Sequence, residues 1–131
     1  MLAPMIGILT GGGDCPGLNA VIRAVVRRSL ARKERVLGIL DGWGGLLAKN
    51  TMELSHQSVS GILHVGGTIL RTSRTNVLKD EATIAKAFQN FQELGLTSLI
   101  AVGGEGTLTV SAELAKRGMP VVGVPKTIDN D

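Results

Sequence analysis

At 131 residues, with 44% apolar and 19% charged content, the chain has the size and composition of one folded domain, which excludes a disordered or fibrous protein. No stretch reaches 18 apolar residues and the N-terminus carries no basic region followed by an apolar one, so neither a membrane span nor a secretory signal is expected. The net charge of +3 gathers in residues 23–35, which hold Arg23, Arg27, Arg28, Arg32, Lys33 and Arg35 against Glu34 without interleaved aromatics, and so read as a solvated helix face rather than a nucleic-acid surface.

In chain order, residues 5–10 form an apolar run ending in glycines, the pattern of a buried parallel strand. Pro16 and Asn19 lead into a helix over 20–28, with Val21, Ala24 and Val25 on its apolar face. Residues 36–40 read as a second strand closed by Asp41-Gly42. Residues 44–65 are mixed, with a short helix expected around 58–64. Residues 80–94 read as a helix capped by Asp80, striped by Ile84, Ala87, Phe88 and Phe91, and stopped by Gly95. A third strand over 99–102, a helix over 108–116 and a fourth strand over 121–124 complete the pattern. Strands alternating with helices predict an α/β fold: a right-handed, doubly wound, mainly parallel sheet flanked by helices. Cys15 is the only cysteine, so no internal disulfide can form, and a reducing, cytoplasmic compartment is expected. Its neighbour Asp14 would raise a thiol pKa, which argues against a catalytic thiol.

In such a sheet the loops after the strands converge on one edge. The first, residues 11–17, has consecutive glycines that would let backbone N–H groups approach a polyphosphate at a helix start, although a tight turn needs the same glycines. It matches neither common nucleotide fingerprint, because Pro16 stands where G-x-G-x-x-G needs glycine and no Gly-Lys-Ser/Thr ending follows. The second, Asp41-Gly42-Trp43-Gly44-Gly45, holds the only Trp, which could stack on a base or cap a core. The third, residues 66–76, combines glycines, hydroxyls, Arg71 and Arg74, and reads as a phosphate contact or as a polar surface loop. The fourth, Gly103-Gly104-Glu105-Gly106-Thr107, places a carboxylate at a helix start, where it could serve Mg²⁺ or simply face the helix dipole. The final Thr127-Ile128-Asp129-Asn130-Asp131 offers two carboxylates two residues apart, suited to taking a proton from a hydroxyl and organising metal. Because this ending lies at a strand mouth with nothing to cover it, a longer parent protein is expected. Together these loops supply a phosphate cradle, a metal carboxylate, a cation and a base, the parts of phosphoryl transfer.

Four segments in order, TGGGDCPGLNA over 10–20, GGTILRTSR over 66–74, GGEGT over 103–107 and PKTIDND over 125–131, make the chain resemble the N-terminal part of a 6-phosphofructokinase. The resemblance implies a Rossmann-like nucleotide-binding part of a phosphofructokinase domain, incomplete at its C-terminus. It also implies transfer of a phosphoryl group from ATP or pyrophosphate to the 1-hydroxyl of fructose 6-phosphate, the committed step of glycolysis, in a homodimer or homotetramer. Gly13 would then contact donor phosphates, Trp43 would lie near adenine, and Thr75, Gly104, Gly106 and Thr107 would line the nucleotide site. Arg74 would stabilise the transferring group. Glu105 and Asp131 would serve Mg²⁺, Thr127 and Ile128 would help hold the sugar phosphate, and Asp129 would be the general base. Arg23 and Arg27 fall where some bacterial relatives bind an effector nucleotide. Gly106 leaves room for the α-phosphate of ATP, whereas Lys126 is shared with pyrophosphate users, and the balance favours ATP. Arg71, in place of a usual glycine, would put a long cation near the phosphates, and Val110 also replaces a frequent glycine. NAD kinases and diacylglycerol kinases share a motif like 103–107, but the resemblance to them does not extend to 66–74 or 125–131. A nucleotide-binding fragment without turnover is the non-enzymatic alternative.

Overall fold

The computed structural model describes residues 3–12, 18–62 and 68–126. Five strands form one sheet in the order β3-β2-β1-β4-β5, built from β1 (Met5–Thr10), β2 (Arg35–Ile39), β3 (Thr51–Leu54), β4 (Ser98–Gly103) and β5 (Val121–Pro125). All neighbours are parallel except β2 and β3. Helix α1 (Leu18–Ala31) crosses from β1 to β2, and α4 (Glu105–Lys116) crosses from β4 to β5. Between them lie α2 (Gly42–Ala48), a 3₁₀ turn (Val77–Lys79) and α3 (Glu81–Glu93). The doubly wound, mainly parallel α/β fold is therefore as expected. Among the described residues no helix is long and apolar enough to cross a membrane.

The central strands are buried on both faces, which explains their unbroken apolar runs. Leu9 and Ala101 point into a core formed with α2, α3 and α4, through Leu46, Phe91 and Leu114. Ile8 and Val102 point the other way, against Leu18, Ile22 and Val26 of α1. The buried stripe of α1 is thus displaced from the expected one. Ala24 is exposed, Val21 and Val25 are only half-buried, and Asn19 and Ser29 lie inside. Arg27 and Arg28 are exposed, as a solvated face requires, while Arg23 is half-buried, its Nε sealed off without a hydrogen-bond partner among the described residues.

Helix ends follow the expected chemistry. The Asp80 carboxylate accepts from the Thr83 N–H at 2.7 Å and caps α3, whose chain then turns at Gly95 in a left-handed conformation. Helix α4 ends likewise at Gly118, with the Met119 N–H returning to the Leu114 carbonyl at 3.0 Å.

Residues 42–65 depart from expectation. The glycine segment after β2 is a helix, α2, despite three glycines that disfavour one. Those glycines are required by contact: a Cβ at Gly45 would collide with the Leu40 carbonyl, and one at Gly44 would lie 2.8 Å from Thr75 Oγ1. The far end of α2 is held by buried Asn90 of α3, whose Nδ2 donates to the Leu46 and Leu47 carbonyls at 2.9 Å each. Strand β3 is an unexpected antiparallel edge, with only Leu54 fully buried. The expected helix over 58–64 is absent over 58–61, which form turns. Ser55 and Ser58 exchange side-chain-to-backbone bonds there, at 3.0 and 3.3 Å, and this local pairing competes with helix. Residues 63–67 lie outside the described set.

Candidate active site

From β1 the chain moves through α1 to β2 on one side; from β4 it moves through α4 to β5 on the other. The loops leaving β1 and β4 therefore diverge and open a crevice at the carboxyl ends of the strands, where open α/β sheets place ligands. A cleft of about 410 Å³ lies there. Its walls are Gly11 and Gly12 after β1, residues 73–76, and residues 104–107 at the start of α4, with Trp43 and Val110 beneath.

Thr107 joins the two loops. Its side chain fills a slot that any Cβ at Gly11 or Gly103 would invade, so these glycines are needed for the β1 and β4 ends to close on it. Glu105, Gly106 and Thr107 form the first turn of α4, whose N–H groups have no intrahelical acceptors. A helix start of this kind favours anionic ligands. Gly104 precedes it with no side chain to cap those groups. Glu105 and Gly106 are exposed, and a Cβ added to Gly106 would meet nothing within 4 Å. Gly106 thus differs from Gly11 and Gly103: the fold does not require it.

The segment 68–76 is tied to the sheet by side chains whose role was not legible in the sequence. Buried Asn19 accepts from the Ile69 N–H at 2.8 Å. Thr10, at the end of β1, donates to the Arg71 carbonyl at 2.9 Å and lies 3.0 Å from the Thr68 hydroxyl. Ser73 Oγ accepts from the Gly44 N–H at 3.3 Å and reaches Thr75 Oγ1 at the same distance. The only sequence signal for these was the clustering of hydroxyls and amides around glycines at a strand end.

The two arginines of this segment separate. Arg74 lines the cleft, is exposed, and has no ion-pair partner among the described residues. Arg71, expected near the phosphates, instead pairs with Asp41 through Nε at 2.8 Å and Nη2 at 3.1 Å. The Arg71 hydrogen bond holds the Asp41 carboxyl below the usual carboxylate range. Arg71 also adopts φ 62°, a left-handed conformation that suits glycine.

Trp43 is 5% exposed and belongs to the core, while also bordering the cleft; its Nε1 is buried without a hydrogen-bond partner among the described residues. Val110 is a buried part of the cleft floor. Lys126 donates its backbone N–H to the Gly103 carbonyl at 2.8 Å. Its ammonium overlies Gly12, 3.1 Å from where a Cβ would stand. Gly13, Thr127, Ile128, Asp129 and Asp131 lie outside the described residues.

The sequence pattern described as Phosphofructokinase matches residues 5–131. This chain belongs to the phosphofructokinase family. A pyrophosphate–fructose 6-phosphate 1-phosphotransferase of Dictyoglomus thermophilum is 54% identical over 126 residues, covering 96% of this chain and 36% of that protein. An ATP-dependent 6-phosphofructokinase of Natranaerobius thermophilus is 49% identical over 126 residues, covering 96% of this chain and 40% of its own length. The chain therefore spans little more than a third of these phosphofructokinase relatives. The crystal structure of Pichia pastoris phosphofructokinase in the T-state superimposes with a TM-score of 0.91 at 31% identity, over 99% of this chain and 16% of that one. Relatives of both donor types stand at similar identity, so the family likeness leaves the donor open.

Proposed function

We propose that this chain supplies the donor-binding part of an ATP-dependent 6-phosphofructokinase. The observation that carries this reading is the open space at Gly106. Gly11 and Gly103 are explained by packing against Thr107, but Gly106 meets nothing, so its lack of a side chain is explained by a ligand that needs the room. An α-phosphate beyond the two terminal phosphates is such a ligand.

In this reading the first-turn N–H groups of α4 and the backbone of Gly11, Gly12 and Gly13 hold the donor phosphates. Trp43 borders the nucleoside end, and Gly104, Thr75 and Thr107 shape the walls. Arg74, without an ion-pair partner among the described residues, faces the charge that develops as the bond from the γ-phosphorus to its bridging oxygen breaks and a bond to the sugar 1-oxygen forms. Asp129 takes the proton of that hydroxyl, Thr127 and Ile128 flank the sugar phosphate, and Asp131 supports the metal side. Among the described residues Glu105 is the only carboxylate bordering the cleft, and no cluster of three acidic, His or Cys groups exists among them. That donor set fits Mg²⁺, which keeps most of its waters and takes phosphate oxygens rather than a protein cage. The ion supplies neutralisation of phosphate charge. Fructose 6-phosphate as acceptor, a homo-oligomeric protein and a cytoplasmic location belong to the same reading.

A second reading, pyrophosphate as donor, rests on the Lys126 ammonium over Gly12, a point charge suited to a compact dianionic phosphate. Steady-state turnover of fructose 6-phosphate by the full-length protein with each donor separates the two. Turnover with ATP is expected; turnover with pyrophosphate and none with ATP would overturn the proposal.

A further inference from the structure

The cleft wall formed by residues 73–76 runs from the stretch 68–71 to Val77, which is fully buried. Up to position 71 the segment is pinned by backbone and side-chain bonds: Asn19 to Ile69, the Asp41 N–H to the Leu70 carbonyl at 2.8 Å, and Thr10 to the Arg71 carbonyl. Beyond it, the bond from the Gly44 N–H to Ser73 Oγ, at 3.3 Å, ties the cleft wall to α2. Arg71 stands at the boundary between the two parts. It is a non-glycine residue at φ 62°, a conformation that β-carbon crowding disfavours. Asp41 is unusual in the same way. It precedes α2 at φ 65°, yet its side chain makes no capping bond to that helix. Its carboxylate is committed instead to Arg71, and to Asn50 Nδ2 at 3.1 Å.

We propose that Arg71 is a positioning residue: its two-point ion pair with Asp41 clasps residues 68–76 to the end of β2 and so holds Ser73, Arg74 and Thr75 against the cleft. The pair joins positions 30 apart in sequence and is half open to water, with side-chain exposures of 58% and 39%. Such a pair contributes little to global stability. Its consequence is local: without it the backbone at Arg71 is free to leave the left-handed conformation, and the cleft wall moves with it. A planar fork is required, because a lysine at 71 is a single point charge and cannot grip both carboxylate oxygens.

The inference rests on the cleft being the donor site, and two readouts keep the two claims apart. In the full-length protein without ligand, amide hydrogen exchange over 70–76 should rise roughly two- to fivefold in Arg71→Gly and in Asp41→Asn, the range expected for loss of an exposed ion pair. Arg71→Lys should fall between these and the parent. The melting temperature of Arg71→Gly should hold or increase, since glycine relieves the backbone. In turnover assays the same variants should lower kcat/KM for ATP by a similar factor, with part of the loss in kcat, because the wall carries Arg74. Unchanged exchange in Arg71→Gly and Asp41→Asn overturns the clasp. Raised exchange with unchanged kcat/KM overturns the positioning role. A parent protein that shows the exchange effect but no ATP turnover refutes the donor reading, not the clasp.

Discussion

Replacing Gly106 by Asp separates what the fold needs from what the ligand needs. A Cβ there meets no atom within 4 Å, so no steric penalty is expected. The position lies in the first turn of α4, where a carboxylate gains about 0.3–1 kcal/mol from the helix dipole. Stability should therefore hold or rise slightly. The same carboxylate would stand among the N–H groups assigned to the donor phosphates. Two like charges 4 Å apart repel by about 4 kcal/mol at an effective dielectric of 20. Allowing roughly half for screening at this open edge leaves about 2 kcal/mol, or roughly a 30-fold loss of ATP affinity. Titration of Gly106→Asp with ATP, beside thermal denaturation, measures both quantities. ATP affinity unchanged in a protein of normal melting temperature would refute the reasoning, because the start of α4 would then not face the phosphates. A large fall in melting temperature would show instead that the glycine is structural.

Arg74→Ala should lower kcat by roughly 10²–10³ while leaving the urea midpoint unchanged, because the side chain is exposed and has no ion-pair partner among the described residues to lose. Asn90→Ala should lower unfolding free energy by about 1–3 kcal/mol in urea titration, since two carbonyls at the end of α2 lose their donor. Acid should weaken the fold through Asp41, Glu53, Asp80, Glu81 and Glu93. Hydrogen bonds from Arg71, Arg35, Thr83, Arg117 and Lys49 respectively hold these carboxyls below their usual range. A depressed folded pKa means that the unfolded chain binds more protons, so this stability is complete above the unfolded values and is lost as pH falls below about 4. Melting temperature followed from pH 6 to pH 3 should decline, with most of the loss below pH 4.5.

The elements that the sequence makes legible are those whose periodicity is set by burial. Strands β1 and β4 lie between two layers, so an apolar run closed by glycine marks each of them. Helix α3 carries both its cap, Asp80, and its stop, Gly95, in the sequence. Helix α2 was illegible because contact, not propensity, selects its residues: Gly44 and Gly45 disfavour helix, yet only glycine lets the turn press against Leu40 and Thr75. Strand β3 was missed because a four-residue edge with one fully buried side chain has no pattern to read. Residues 104–107 and Arg74 line the cleft at the carboxyl edge of the sheet. Arg71 does not; its partner Asp41 is 30 positions away, and no local spacing records a pair of that kind. Trp43 remains both core and cleft border, and composition alone could not have joined the two roles.

The central claim is that the crevice between the ends of β1 and β4 receives the phosphoryl donor. Amide hydrogen exchange of the full-length protein, with and without a non-hydrolysable ATP analogue and Mg²⁺, tests it most directly. Protection should appear together at residues 11–12, 73–76 and 104–107, and Gly106→Asp should abolish it. Protection confined to other segments, with these three unchanged at saturating analogue, would contradict the account.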